Sequence, residues 1–258
     1  MPSTFLSSAP HVLPLPDGRF VISAVALGRN QLMVKSAGGE LTPFIPTDEE
    51  TSGPMALVGR SLAVFVVGSG TTRSIALASL TDGRIIRRIT LLASDTVASL
   101  SGSIDGQHVY FVRSGEVWTA PIDGGEPRKL GPGDAVAVDP RDGSMVVMMN
   151  EAGGVRLERL ASTGERSDIP LPKDVHLFGE LAGNAVDRLG RIAVRLVVPD
   201  SWFWGAGVLD PKTGKIEPVT GGDQTDMSRP GWDSEGLLVT PAHFIRSNIW
   251  RFSPQLAR

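Results

Sequence analysis

The chain has 258 residues, 41% hydrophobic and 21% charged, with a net charge of −3. That is enough apolar material for a sizeable core and excludes a disordered chain; without a basic excess, nucleic acid and anionic membrane surfaces are not expected partners. Cysteine is absent, which excludes disulfides, thiolate catalysis and Cys-ligated zinc or iron–sulfur sites.

The first ten residues lack a basic stretch followed by an apolar one, so no signal peptide is expected, and no window is apolar enough to span a membrane. From there the chain alternates short apolar runs with turn residues. The runs are Phe20–Leu27, Leu62–Val67, His108–Val112, Met145–Met149, Ile192–Val198 and Leu237–Thr240. Their length and β-branched content suit strands. No segment has a sustained 3.6-residue period, and the 30 glycines and 19 prolines are spread along the whole chain. An all-β protein follows.

Two sets of turn signals recur every 40–45 residues or so. One precedes the apolar runs: Asp17-Gly18, Gly59-Arg60, Asp105-Gly106, Asp142-Gly143, Asp187 to Gly190 and Asp233 to Gly236. The other follows the next strand: Gly38-Gly39, Asp82-Gly83, Gly124-Gly125, Thr163-Gly164 and Thr213-Gly214. Such pairs supply the positive φ that tight hairpins need. A unit of this length with two hairpins is a four-stranded antiparallel sheet, the blade of a β-propeller.

Six blades are predicted in one domain, over 9–54, 55–97, 98–134, 135–178, 179–226 and 227–258 plus 1–8. The sixth unit has strands a to c within Arg229–Phe252 and little after them, so the segment Thr4–Ser8 is expected to add its outer strand and close the ring. A β-sandwich or a pair of small β domains is the alternative, and even turn spacing is hard to obtain from either.

Blade three carries Ser103-Ile104-Asp105-Gly106, then Val117-Trp118-Thr119-Ala120-Pro121-Ile122-Asp123-Gly124-Gly125-Glu126. Blade six carries Trp232-Asp233-Ser234-Glu235-Gly236 and Asn248-Ile249-Trp250. This wording resembles the WD40-like (PD40-type) repeat of TolB-like propellers, and most of all the C-terminal sensor propeller of bacterial serine/threonine protein kinases. Blade one is similar, whereas blades two, four and five match in spacing only. The resemblance implies a non-catalytic sensor or interaction domain of a larger signalling protein, on the extracytoplasmic or periplasmic side of a bacterial membrane. Without that parent, a cytoplasmic TolB-like protein-binding scaffold is implied. No kinase or hydrolase motif occurs in the chain itself.

No catalytic residue, metal site or cofactor is expected. His11, His108, His176 and His243 have no metal-ligand spacing. The turn aspartates recur blade after blade, as hydrogen-bond acceptors for turn backbone do. Trp118 and Trp250 occupy matching positions suited to packing between blades. Trp202-Phe203-Trp204 falls in the b–c connection of blade five, either as a plug against the next blade or as a binding surface. The loops opening on one end of the channel place His176, Trp202, Trp204, Asp226, Trp232, His243 and Arg246 at the candidate binding mouth, with Asp134, Glu151 and Asp200 nearby. That mixture suits a small polar ligand, a peptide, a glycan or a protein partner. The rival is a propeller lyase or hydrolase, for which His176, Asp226 and His243 are the trio to bring together.

Overall fold

The computed structural model describes residues 5–6, 11–26, 28–36, 38–91, 96–198, 201, 203–219 and 225–244. It is an all-β propeller built of antiparallel blades. Blade two runs Thr51–Val58, Leu62–Val67, Ser74–Ser79 and Ile85–Thr90. Blade three runs Val97–Gly102, His108–Arg113, Glu116–Pro121 and Arg128–Pro132, and blade four Ala135–Val138, Met145–Glu151, Gly154–Leu160 and Arg166–Ile169. Each is a four-stranded sheet with strands in chain order, a to d, and strand a innermost.

The turns follow from the residues placed there. The Asp105 carboxylate accepts the Gln107 amide (2.9 Å), and Gly106 closes the turn at φ 72°. Asp17, Asp142, Asp187 and Asp233 likewise each accept the amide two residues on. These aspartates hold hairpins together.

Each sheet buries both faces. In Leu62–Val67, Ala63, Phe65 and Val67 belong to a cluster shared with blade one, containing Leu13, Val21 and Leu32. The intervening Val64 and Val66 turn to the other side, against Leu100, Val109 and Phe111 of blade three. Strand side chains alternate between faces, so a run apolar at every position is what a sheet sandwiched between two neighbours requires. Two further clusters repeat the arrangement between blades three and four and between four and five.

Along the channel the inner strands are stitched by hydroxyls. Ser99 Oγ donates to the Val136 carbonyl and accepts its amide; Ser101 Oγ accepts the Val138 amide and donates to the Gly183 carbonyl (2.9 Å). Glycine makes these approaches possible. A Cβ on Gly183 would lie 2.1 Å from the Leu100 carbonyl, and one on Gly102 would lie 2.1 Å from the Leu57 carbonyl.

Three expectations are corrected. Among the described residues five blades form rather than six. Among the described residues the sixth unit is an a–b hairpin in two short pieces, Thr225–Met227 with Ala242–Phe244 and Gly231–Trp232 with Leu238–Val239. Its predicted third strand lies outside the described residues. The N-terminal strand does not join it: Phe5–Leu6 pairs with blade one, at Val25 and Ala24 of strand Phe20–Ala26. The reason is an unpaired edge, because Val12–Pro14 covers only Phe20–Ile22 and leaves the rest of that seven-residue strand to be paired. Blade one continues with Arg29–Lys35 and Leu41–Pro43. Blade five also departs from the pattern. Its sheet has three strands, Ile192–Val197, Trp204–Leu209 and Ile216–Val219, and its inner edge is an irregular segment touching the sheet at Leu177↔Leu196 and Val186↔Ile192.

Gly102→Ala is expected to destabilise the protein by about 2–3 kcal/mol, because the added methyl meets fixed backbone. Gly153→Ala, whose Cβ position is open, is expected to stay within about 0.5 kcal/mol. Urea midpoints of the two variants check this, and equal midpoints would refute the close approach.

Candidate functional site

The inner strands run between the two ends of the channel, so their first and last residues line different mouths. At one end, His11, Pro54, Val97 and Ala135 meet Phe178–Leu181 of blade five and Arg229 of the sixth unit around a cavity of about 550 Å³. At the other end, Pro14, Leu57, Val186 and Trp232 line a smaller cavity of about 190 Å³.

The large mouth is organised by Arg195, the one charged residue in the strand Ile192–Val197. Its side chain is 8% exposed and bonds Glu180 at 2.9 Å and Asp226 at 3.4 Å. The guanidinium lies 4.6 Å from the Phe178 ring centroid and 5.0 Å from that of Trp204, and those two rings are 4.3 Å apart. Asp226 also accepts the Trp204 amide (3.0 Å), which fixes the start of that strand. Charge pairs on a desolvated guanidinium are strong when fully hydrogen-bonded. Here Arg195 Nε is buried with no partner among the described residues, as is Ser228 Oγ.

Glu180 binds a second cation, Arg229, at 3.2 Å. Arg229 has φ 44°, a left-handed backbone that non-glycine residues adopt at a cost of about 1 kcal/mol or more. Burial lowers its pKa, Glu180 opposes that shift, and the Arg195 charge adds to it. Across the mouth, the His11 ring lies against Gly53, where a Cβ would sit 2.3 Å from it. Burial, followed by the Arg229 charge, pushes the His11 pKa down to about 3. His11 is therefore neutral at ordinary pH. Asp134 completes the lining and accepts the Asn150 amide at 2.7 Å.

The predicted residues divide between several places. Asp226 and Trp204 meet at Arg195, behind the mouth; Trp204 opens strand c and is half-buried there. Asp134 lines the mouth, while Glu151 pairs with Arg156 (2.8 Å). His176 is exposed and lines neither mouth; its carbonyl accepts the Val197 amide (2.8 Å). The backbone of His243 pairs opposite Asp226. The His243 side chain, Trp202, Arg246, Asp200 and Trp250 lie outside the described residues. The placement of Trp232 is revised. It is buried at the opposite end, where its Nε1 donates to the Ala185 carbonyl (3.0 Å) and the Arg191 guanidinium covers its ring. It follows a strand's inner course rather than preceding it, which carries it across the disc. Trp118 packs on the cluster between blades two and three, beneath Arg113.

His11, Glu180, Arg195 and Arg229 were not among the expected site residues. Only Arg195 leaves a local signal, as a lone charge inside an apolar strand. Among the described residues no group of three or more His, Asp or Glu side chains is placed to hold a metal, and no helix is long and apolar enough to cross a membrane.

No family model matches the sequence, and no curated protein matches it. Solved structures do match the fold. A TolB candidate from Agrobacterium tumefaciens superposes with a TM-score of 0.68 at 15% identity, over 95% of this chain and 91% of that one. TolB from Acinetobacter baumannii gives 0.57 at 15%, over 90% of this chain and 60% of that one. A chain in a nidogen/laminin complex gives 0.54 at 14%, over 81% of this chain and 78% of that one. At such identities the likeness is one of fold.

The His11 pKa sets a sign for acid stability. Folded His11 stays neutral to about pH 3, whereas the unfolded chain protonates it near the ordinary value of 6.5. Proton uptake thus favours unfolding as pH falls from 6.5, at up to about 1.4 kcal/mol per unit. His11→Gln is expected to flatten the pH 6.5–4.5 part of a urea-midpoint profile. An unchanged slope would assign the titration to another group.

Proposed function

We propose that this propeller is a non-catalytic binding module whose large channel mouth recognises a polar ligand or a short peptide segment. The observation that carries the reading is the convergence of blade ends on the 550 Å³ mouth, with the Glu180–Arg229 pair, Asp134 and the Phe178 ring in one lining. A volume of that order suits a small ligand or a few residues of peptide. Charged and aromatic groups held by rigid strands recognise without needing to move. The buried Arg195 behind them fixes Glu180 and Asp226, so those two serve the mouth through position. His176, Trp202, His243 and Arg246 remain proposed contributors to the same face.

The repeat wording of blade three supports a place in a larger bacterial signalling protein, with a kinase-like partner domain and the propeller on the extracytoplasmic side. A second reading, a protein-binding scaffold, draws on the other face. Ile104, Leu189 and Leu237 are 49%, 70% and 61% exposed, and all three sit at a–b turns. Apolar side chains displayed at turn tips suit a protein partner. The TolB and nidogen/laminin structures support that reading by fold alone.

A thermal-shift panel of short peptides and sugars tests the first reading. A ligand at 100 times its Kd adds about 2.7 kcal/mol, expected as an upward Tm shift of roughly 5–10 °C in a protein of this size. The shift is expected to vanish in Arg229→Gln and to survive in Lys215→Gln, whose side chain is exposed far along blade five. Ligands indifferent to Arg229→Gln would move the function away from this mouth.

A further inference from the structure

A second cavity, of about 500 Å³, opens between blades three and four, away from both channel mouths. It forms where the two sheets splay, beyond the cluster of Val112, Val117 and Val147 that joins them. Its lining is mixed, with Leu130, Met145, Leu160 and Tyr110 beside His108 and Lys129. One polar atom of the lining is left unsatisfied. Thr119 is 7% exposed, and its hydroxyl is buried with no hydrogen-bond partner among the described residues. Such a group costs stability when left unsatisfied.

Thr119 has a specific neighbour. In the blade-three ladder it pairs directly with Tyr110 on one side and Arg128 on the other. Directly opposed residues have Cβ atoms about 5 Å apart on the same face, so Tyr110, Thr119 and Arg128 form a row on one face of the sheet, and all three line the cavity. Arg128 is exposed and has no ion-pair partner among the described residues, while the adjacent Lys129 is taken by Glu116 at 2.7 Å. A hydroxyl that can donate, next to an unpaired guanidinium, is a complementary pair for the two oxygens of a carboxylate. Leu130, Met145, Leu160 and Tyr110 then offer an apolar body its burial.

We propose that the wedge between blades three and four binds a small amphipathic carboxylate, with the acid group on Thr119 and Arg128 and the apolar body against Tyr110, Met145 and Leu160. Phosphate does not suit the site, where Lys129 is already held by Glu116 and Arg128 is the guanidinium left without an ion-pair partner among the described residues. Glu126, also at the rim, decides between two sources of this chemistry. A plain acid leaves it idle, and an amino acid offers it an ammonium.

Calorimetric titration of the full chain with 3-phenylpropionate, L-phenylalanine and phenethylamine tests the proposal. Saturable binding of at least one of the two carboxylates is expected, with phenethylamine much weaker. Thr119→Val and Arg128→Gln are each expected to weaken binding about tenfold or more, whereas Arg229→Gln at the channel mouth leaves it unchanged. Tighter binding of phenylalanine than of phenylpropionate would give Glu126 its role, and the reverse order would identify a simple acid. Thr119→Val is also expected to leave the urea midpoint of the unliganded protein unchanged or raised, since it removes an unsatisfied hydroxyl. A fall in that midpoint would show that the hydroxyl already has a partner, and would overturn the proposal. So would equal binding of phenethylamine, or no saturable binding of either carboxylate up to about 10 mM.

Discussion

Blades two, three and four are apolar on both faces, and much of the structure follows from the need to cover them. A single four-stranded sheet with Phe65 and Val67 on one side and Val64 and Val66 on the other has no stable existence in water. It needs a neighbour on each flank, each neighbour needs another, and the chain satisfies this by repetition. With both faces committed to packing, polar chemistry is confined to strand ends, turns and the places where neighbouring sheets part. The channel mouths and the wedge between blades three and four are such places.

Arg195 is the informative exception. It brings a charge into the strand Ile192–Val197, whose other residues are apolar, and that charge is balanced by Glu180 from the irregular inner segment and Asp226 from the following unit. Three elements far apart in sequence are tied by one guanidinium. The regular inner strand that the other blades possess is replaced in blade five by a segment that brings Phe178 and Glu180 to that guanidinium. The irregularity and the charge cluster are two aspects of one local solution, in which ladder hydrogen bonds give way to side-chain ones.

The blade pattern was legible in the sequence because its determinants are local. Asp105-Gly106 makes its turn with its own carboxylate and its own φ, and Leu62–Val67 declares two-sided burial through six consecutive apolar residues. The pairing of Phe5–Leu6 was not legible, since it depends on how much of Phe20–Ala26 another strand leaves uncovered. The site was harder still. Ser101 meets Gly183 across 82 positions of chain, and nothing near either residue announces the other. Aromatic content drew attention to Trp232, yet position along the inner course, rather than residue type, decides which mouth a side chain serves. His11 and Arg229 look unremarkable in sequence; burial perturbs both, with the Arg229 charge acting on His11 and the Glu180 and Arg195 charges acting on Arg229.

The approach of Gly183 to blade three has a consequence for how the blades are joined. Its backbone lies against the Leu100 carbonyl and the Ala56 side chain while accepting the Ser101 hydroxyl, so the irregular segment of blade five meets blades two and three directly, with blade four passed over. The stretch from Phe178 to Val186 lines both mouths, as the stretch from Pro54 to Leu57 does. A small slide of the former stretch, bought by a ligand on either side, would register on both.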